Sequence, residues 1–366
     1  MSADQKPFFV VIDTNIWIQD SSLLLNTVMG SALIYILKQS NGKIGLPEII
    51  EEELIRHTVE IGIEAIEAIN KNSKAIEIIM GYKPSYEEPD NAKIEAAVKQ
   101  RLRELDDLIV RIDFTFEHAK SAWRRINEKS QPNGKKNQQI KDSAIWEAIL
   151  TLLSSHTDTV HFITNDKQFF KNTQIESGEL ATNLLNDAQK LRGVVHIYKD
   201  MASCVKSLQK NVPTLDYSNL ISEIDKLINS SLERKILLAE VGVEIIDVAT
   251  EISSISAFLT EIKDQLALSF DICYHCTDVQ NTDNERKEIV LRTLGICLYQ
   301  FETKKISYLT MDSERIYWVE PSGKTSRRGF VYGSANIGNT GGSKEVKYTF
   351  REPVDFIRFS DLDRKK

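Results

Sequence analysis

Phe8-Phe9-Val10-Val11-Ile12-Asp13-Thr14-Asn15 decides how this chain is read. Five apolar residues run together and stop abruptly at Asp-Thr-Asn. A short continuous apolar run suits a strand buried on both faces, as in a parallel sheet. Asp13 and Asn15 are turn and helix-start residues. In open α/β sheets ligands bind beyond the carboxyl ends of the strands, where Asp13 would stand. The chain repeats the device at Val160-His161-Phe162-Ile163, followed by Thr164-Asn165-Asp166. Two acids delivered by two strand ends suggest a shared site.

Between these runs, helices and strands alternate. The pattern predicts a helix from about Ser22 to Lys38 that ends at Asn41-Gly42, a pair suited to a left-handed cap. Lys43 to Leu46 reads as a short strand, and Pro47 opens a helix continuing to about Met80. Gly81-Tyr82-Lys83-Pro84 breaks it, and a second helix is expected from about Ala92 to Lys129. After the turn at Gln131-Pro132-Asn133-Gly134, Lys141 to Ser154 has apolar residues at helical spacing. A helix near Leu180 to Leu191 and a strand at Val194 to Tyr198 complete the alternation, which indicates a mostly parallel sheet flanked by helices.

The texture changes after about Asp200. Asn211 to Thr214 reads as a linker, and Ser218 to Leu268 as helical. From about Ile289 onward strands and turns are expected: Ile306 to Met311, Ile316 to Val319, Gly329 to Tyr332, Val346 to Phe350 and Val354 to Phe359. Tyr332 to Gly342 reads as a Gly-rich loop without phosphate-binding spacing. The expectation is an α/β domain over residues 1–200, with a helical insertion at about 64–130, and a separate α+β domain over 215–366. A chain of 366 residues accommodates two such domains.

Composition narrows the classes. With 42% apolar and 27% charged residues the chain can fill ordinary cores. No apolar run approaches the ~20 residues of a membrane span, and Met1 to Lys6 lacks a signal-peptide core, so a cytoplasmic location without membrane contact is expected. Cys204, Cys273, Cys276 and Cys297 are too few and too irregular for a disulfide scaffold. Cys273-Tyr-His-Cys276 lacks a second CxxC, so zinc is not expected. The formal charge of −7 opposes a surface that coats nucleic acid throughout but permits a local basic groove.

Four acids stand out: Asp13, Glu53, Asp142 and Asp166. Asp13 and Asp166 end strands, and Asp142 lies in the first turn of its helix. Glu53 is chosen over Glu51 and Glu52 by helical phase: at ~100° per residue it falls between Ile49 and Ile50, whereas Glu52 points away from Ile50. Each acid alone has a structural explanation as a turn, a dipole partner or a solvated charge. Together they would repel, and a hard divalent cation with oxygen preference resolves that conflict. Mg²⁺ or Mn²⁺ would activate water and neutralise charge on a phosphodiester. Asp158 precedes its strand and is excluded; Asp200 is a weaker extra candidate.

These residues resemble the motifs of the PIN-domain ribonucleases. Val11-Ile12-Asp13-Thr14-Asn15 is similar to the opening motif. Leu46 to Leu54 is similar to the motif carrying the acid of the second helix. Lys141-Asp142-Ser143-Ala144-Ile145 resembles the third, and Ile163-Thr164-Asn165-Asp166 the fourth. The resemblance covers roughly residues 6–200. It implies a Mg²⁺- or Mn²⁺-dependent nuclease, usually acting on single-stranded RNA, with Asp13, Glu53, Asp142 and Asp166 as ligands. Thr14, Asn15 and Asn165 would orient them. About 90 residues separate Glu53 from Asp142, as in a larger bacterial subgroup rather than the small toxins.

Lys120 to Lys141 holds seven basic residues against one acid, Glu128, with Trp123 among them. Arg124, Arg125, Lys135, Lys136 and Lys141 are therefore candidates for phosphate contact, and Trp123 for stacking on a base. The expected activity is endoribonuclease, with a regulated or phage-defence role suggested by analogy alone. A non-catalytic RNA-binding scaffold and a nuclease for structured or flap DNA are the competing readings. The C-terminal domain would recognise substrate, form homo-oligomers or receive a signal.

Overall fold

The chain is described by a computed structural model covering residues 6–19, 23–82, 88–133, 139–209, 245–278, 288–300, 302–319, 325–328 and 335–337. It divides into two compact units: Met1–Asn26 with Leu33–Ser207, and Leu208–Lys366 with the short piece Thr27–Ala32.

The first unit is built on a five-stranded parallel sheet. Its strands are β1 (Phe9–Ile12), β2 (Lys43–Pro47), β3 (Ile109–Ile112), β4 (Thr159–Ile163) and β5 (Val194–Tyr198), in the order β3-β2-β1-β4-β5. Helices α1 (Thr14–Trp17), α2 (Val28–Gln39), α3 (Glu48–Met80), α4 (Asn91–Glu104), α5 (Phe116–Asn127), α6 (Ile140–Ser155), α7 (Thr182–Lys190) and α8 (Met201–Leu208) connect or follow them. Val10, Val11, Ile12, Phe162 and Ile163 are fully buried, as expected for central strands covered on both faces. The order runs outward from β1 in both directions. Its reversal lies between β1 and β4, which pair with Ile12 opposite Ile163. A doubly wound sheet opens its crevice at that point, beyond the carboxyl ends of the strands.

Two helices bring acids to that crevice. α3 begins directly after β2, with Pro47 as its N-cap, and ends at Gly81, whose left-handed φ of 73° closes the last turn onto Glu77. α6 lies against the sheet so closely that a Cβ on Gly45 of β2 would meet Leu152 at 2.6 Å. Ala144, Ile145, Trp146, Ala148 and Ile149 are buried along it. That contact fixes the height of Asp142 in the first turn of α6.

Two expectations are corrected. The stretch from Ala92 to Lys129 is not one helix, and the insertion at 64–130 is not wholly helical. Leu105 to Ile112 turns into β3, an edge strand parallel to β2, before α5 starts. Ile245 to Leu268, expected within a helical region, is instead extended: β6 (Ile245–Leu259) pairs antiparallel with β7 (Gln265–Asp278). The β-branched residues Ile245, Ile246, Val248, Thr250, Ile252 and Ile255 favour this outcome.

Among the described residues the second unit is an antiparallel sheet. It continues through β8 (Glu288–Gln300), β9 (Lys305–Val319) and β10 (Thr325–Arg328) in the order β10-β9-β8-β7-β6, and β11 (Ala335–Ile337) also pairs with β9. Ile306 to Met311 and Ile316 to Val319 both fall in β9, and part of the expected Gly-rich loop is β11. The remaining expectations, the linker, the helix before 245, Gly329 to Tyr332 and the two last strands, lie outside the described residues. Cys297 pairs opposite Leu268 on β7, away from Cys273, so these two thiols do not converge on one ion. Burial pushes the Cys297 thiol well above its ordinary range.

Candidate metal centre

The site forms where four chain segments meet the switch point. Asp13 follows β1, and its backbone N–H donates to Ile163 O at the end of β4 (2.9 Å). This bond ties the two strand ends together. The Asp13 carboxylate is buried, with 7% exposure. Its Oδ2 accepts a hydrogen bond from Thr164 Oγ1 at 2.6 Å. The same Thr164 hydroxyl accepts from the backbone N–H of Asp166 at 3.0 Å, placing Asp166 beside Asp13. Asp166 Oδ1 in turn accepts from Gln168 N (2.8 Å), which holds the carboxylate at the start of a short 3₁₀ turn, Lys167–Phe169.

Glu53 enters from the second turn of α3. Its Oε2 accepts from Thr14 Oγ1 at 3.1 Å, and its Oε1 from Lys141 Nζ at 2.6 Å. Of the three consecutive glutamates it is the one directed at this junction: Glu51 faces Arg111, and Glu52 is exposed. Arg56 and His57, one turn further along α3, stand 3.7 and 3.4 Å from the same Oε1. Sequence reasoning missed both. Their i+3 and i+4 spacing from Glu53 was the available signal.

Asp142 is positioned by α6. The preceding turn is held by Asn133, whose side chain donates to Ser143 Oγ (2.7 Å) and accepts from Gln139 N (3.0 Å). Gln131 Nε2 donates to the backbone oxygens of Gln168 and Phe170, so the same turn reaches the Asp166 loop.

The electrostatics are those of acids crowded without enough counter-charge. Burial, together with Asp166 and Glu53, raises Asp13 to about 6, although Thr164 and the Thr14 backbone pull it down. Burial and the charges of Asp166, Asp13 and Glu53 raise Asp142 to about 7. Glu53 behaves differently. Burial would raise it, but Lys141, Thr14 and His57 outweigh that, and it stays below its ordinary value. Among the described residues, no three His, Cys, Asp or Glu side chains close into a ready-made chelate. The donors are all hard oxygens whose mutual repulsion a cation relieves. This fits a divalent ion that retains several of its waters.

Other expected site residues have varied placements. Thr14 donates to Glu53, whereas Asn15 and Asn165 are exposed. Thr164, missed from sequence, makes the contacts that orient Asp13 and Asp166. Lys141 faces Glu53, and Arg124 is exposed. Arg125 is corrected: its guanidinium is 14% exposed and pairs with Glu147 (2.7 Å) and Asp187 (2.6 Å), so it joins α5, α6 and α7 instead of facing solvent. Lys135 and Lys136 lie outside the described residues. Asp200 Oδ1 accepts from Ser203 N and Oγ at the start of α8, a capping role.

No described helix is long and apolar enough to cross a membrane. No curated protein and no solved structure matches the chain. Residues 10–169 match the PIN domain. That span runs from β1 to the turn after Asp166 and contains all four acids. By fold, motif order and this match, the first unit belongs to the PIN-domain family, whose members are generally nucleases that use a divalent metal.

Proposed function

We propose that the chain is an endoribonuclease that cuts single-stranded RNA with Mg²⁺ or Mn²⁺ held by Asp13, Glu53, Asp142 and Asp166. The observation that carries this reading is the coupling of four carboxylates at the switch point of the sheet, with Asp13 and Asp142 raised by burial and by neighbouring carboxylates. A divalent ion bound there supplies an acidified water and neutralises charge on the phosphodiester. The chain's own contribution is orientation. Thr164 holds one oxygen of Asp13, and Thr14 holds one oxygen of Glu53. Lys141 balances Glu53 and lies where a phosphate would approach. Arg124, Lys135 and Lys136 would add backbone contacts.

The division of labour follows the two units. The first, ending near residue 200, is the catalytic body. The second, over about 215–366, serves recognition, self-association or control, which suits a regulated effector such as one acting against phage in the cytoplasm. The test pairs calorimetric Mn²⁺ titration with cleavage of end-labelled single-stranded RNA, for the parent and for Asp13→Asn. The reading requires the substitution to remove both metal binding and cleavage while the protein stays folded. RNA binding with no Mn²⁺-dependent cleavage by the parent would make the protein a scaffold. Preferential cleavage of flap DNA would move the substrate.

A further inference from the structure

α5 is held on one side only. Thr115 caps its start with a reciprocal bond to His118. His118 Nε2 meets Thr151 Oγ1 at 2.9 Å, Ala122 and Ile126 are buried, and Arg125 is committed to Glu147 and Asp187. At ~100° per residue the opposite stripe contains Phe116, Lys120, Trp123, Arg124 and Asn127. All five are exposed, Phe116 at 79% and Trp123 at 61%. Phe114, just before the helix, is exposed as well. Phe114 follows β3 and its N–H donates to Glu48 at the start of α3, so it lies at the carboxyl rim of the same sheet that carries the acids.

Large rings left in water cost free energy, and a helix that only needs packing on its inner face has no use for them there. The other positions of the stripe are cations and an amide, not aliphatic residues. Lys120 sits one turn from each ring, with only a long 3.9 Å contact to Glu117, and Arg124 makes no ion pair among the described residues. Ring, cation, ring, cation is the pattern that takes bases and phosphates together. Phe116 and Trp123 are two turns apart, or ~11 Å. A strand reaching both must have its base faces uncovered, and duplex bases inside a stack do not.

Resting on the nucleic-acid reading above, we propose that the outer face of α5 is a stacking platform for single-stranded RNA, with bases on Phe116 and Trp123 and phosphates at Lys120 and Arg124. The test uses the full chain in EDTA, so that cleavage plays no part. Anisotropy of a labelled oligouridylate measures affinity for the parent, Phe116→Ala, Trp123→Ala, Trp123→Phe, and Lys120→Gln with Arg124→Gln. Each alanine substitution is expected to weaken binding by about 5- to 150-fold, and Trp123→Phe to restore most of it. The charge variant is expected to flatten the salt dependence by about 0.7 log units per lost phosphate contact, which the alanine variants leave unchanged. Parent-like affinity in both alanine variants overturns the proposal. So does equal loss with Trp123→Phe, an equal effect on duplex RNA, or a change in self-association without a change in RNA affinity. The parent's Mn²⁺-dependent cleavage of the same oligonucleotide is read in a parallel assay. A protein that binds through α5 yet never cuts would therefore sink the nuclease reading and leave the platform standing.

Discussion

One helix carries two charged clusters that are solved in opposite ways. At the start of α6, Asp142 joins Asp13 and Asp166 in a group whose charges repel. Further along, Glu147 joins Asp187 around Arg125, where every charge has a partner. Burial opposes the charge on Arg125, yet its hydrogen bonds to Glu147 and Asp187 hold it above its ordinary value. Asp187 is pulled below its own by Arg125 and Lys190, against the effect of burial. The compensated cluster joins three helices. The uncompensated one keeps local hydrogen bonds to Thr164 and Gln168 but leaves its mutual repulsion unrelieved, which is what the proposed cation would offset. Asp13 and Asp142, raised by burial and like charges, thus differ from Asp187, lowered by two cations, while Glu53, lowered by Lys141, stands between the two kinds of cluster.

The strongest way to break this comparison is to remove the central cation of the compensated cluster. Arg125→Ala leaves Glu147 and Asp187 without their shared partner. It should cost about 3–5 kcal/mol, the usual effect of breaking a buried pair from one side. Chemical denaturation measures this directly. A loss below about 1 kcal/mol would mean that solvent already screens the cluster. Mn²⁺ affinity of the folded fraction should be unchanged.

The contrast also explains what was legible in the sequence. The proposed acids are legible because each follows a local rule: Asp13 and Asp166 end apolar runs, Asp142 lies in a first helical turn, and Glu53 follows from helical phase. Thr164 and Lys141 could not be assigned their roles, because their partners lie far along the chain and meet only through the parallel sheet. Arg125 looked like its neighbour Arg124 until helix packing turned one inward and the other out. β3 escaped because Ile109-Val110-Arg111-Ile112 is a four-residue edge strand amid helical patterns. Its pairing with β2, not its composition, makes it a strand. In β6, apolar residues such as Ile245, Val248, Ile252 and Ile255 also fit a helical period, and only their β-branching argued otherwise.

A pH series sharpens the comparison, because the clusters respond in different windows. Asp13 and Asp142 have folded values of about 6 and about 7, above the ordinary 3.8. Between these limits the folded state holds more protons than the unfolded state. Stability of the metal-free protein should therefore be greater near pH 4 and fall as pH rises toward 7, by roughly 6 kcal/mol for the two groups together. Asp187 is lowered, so its contribution is complete above the ordinary carboxylate range and is lost only as pH drops through its folded value. Thermal unfolding in EDTA across this range tests both signs. Asp13→Asn should flatten the upper slope, as should Mn²⁺. A slope that rises toward pH 7 in the parent, or persists unchanged in Asp13→Asn, would refute the crowding argument.

Thr164→Val probes the acid cluster more gently. The substitution preserves shape but removes the hydroxyl that donates to Asp13 and accepts from Asp166 N. Partners that orient metal ligands typically contribute 10–100-fold in affinity, so Mn²⁺ binding should weaken by about that much. Asp13 should also titrate higher, since Thr164 favours its charged form. Calorimetry and carboxyl-carbon NMR report the two effects separately.

The smallest effect is expected at Lys141, where the two kinds of cluster meet. Its ammonium gives Glu53 the compensation that Asp13 and Asp142 lack. Yet Lys141 is 45% exposed, so the pair resembles a surface bridge worth at most about 1 kcal/mol. Lys141→Met should barely move the melting temperature. Its effect on metal is the informative one. If Lys141 occupies charge that an incoming ion must share, removing it frees Glu53 and lowers local positive potential. Mn²⁺ affinity should then rise by a few-fold, about what 1 kcal/mol allows. If the lysine instead holds Glu53 in place for the ion, affinity should fall in Lys141→Met and be restored by Lys141→Arg. Thr14 already fixes the other Glu53 oxygen, and Arg56 and His57 stand close to the one that Lys141 holds. Position is thus secured without Lys141, and tighter binding is the expected result of the titration.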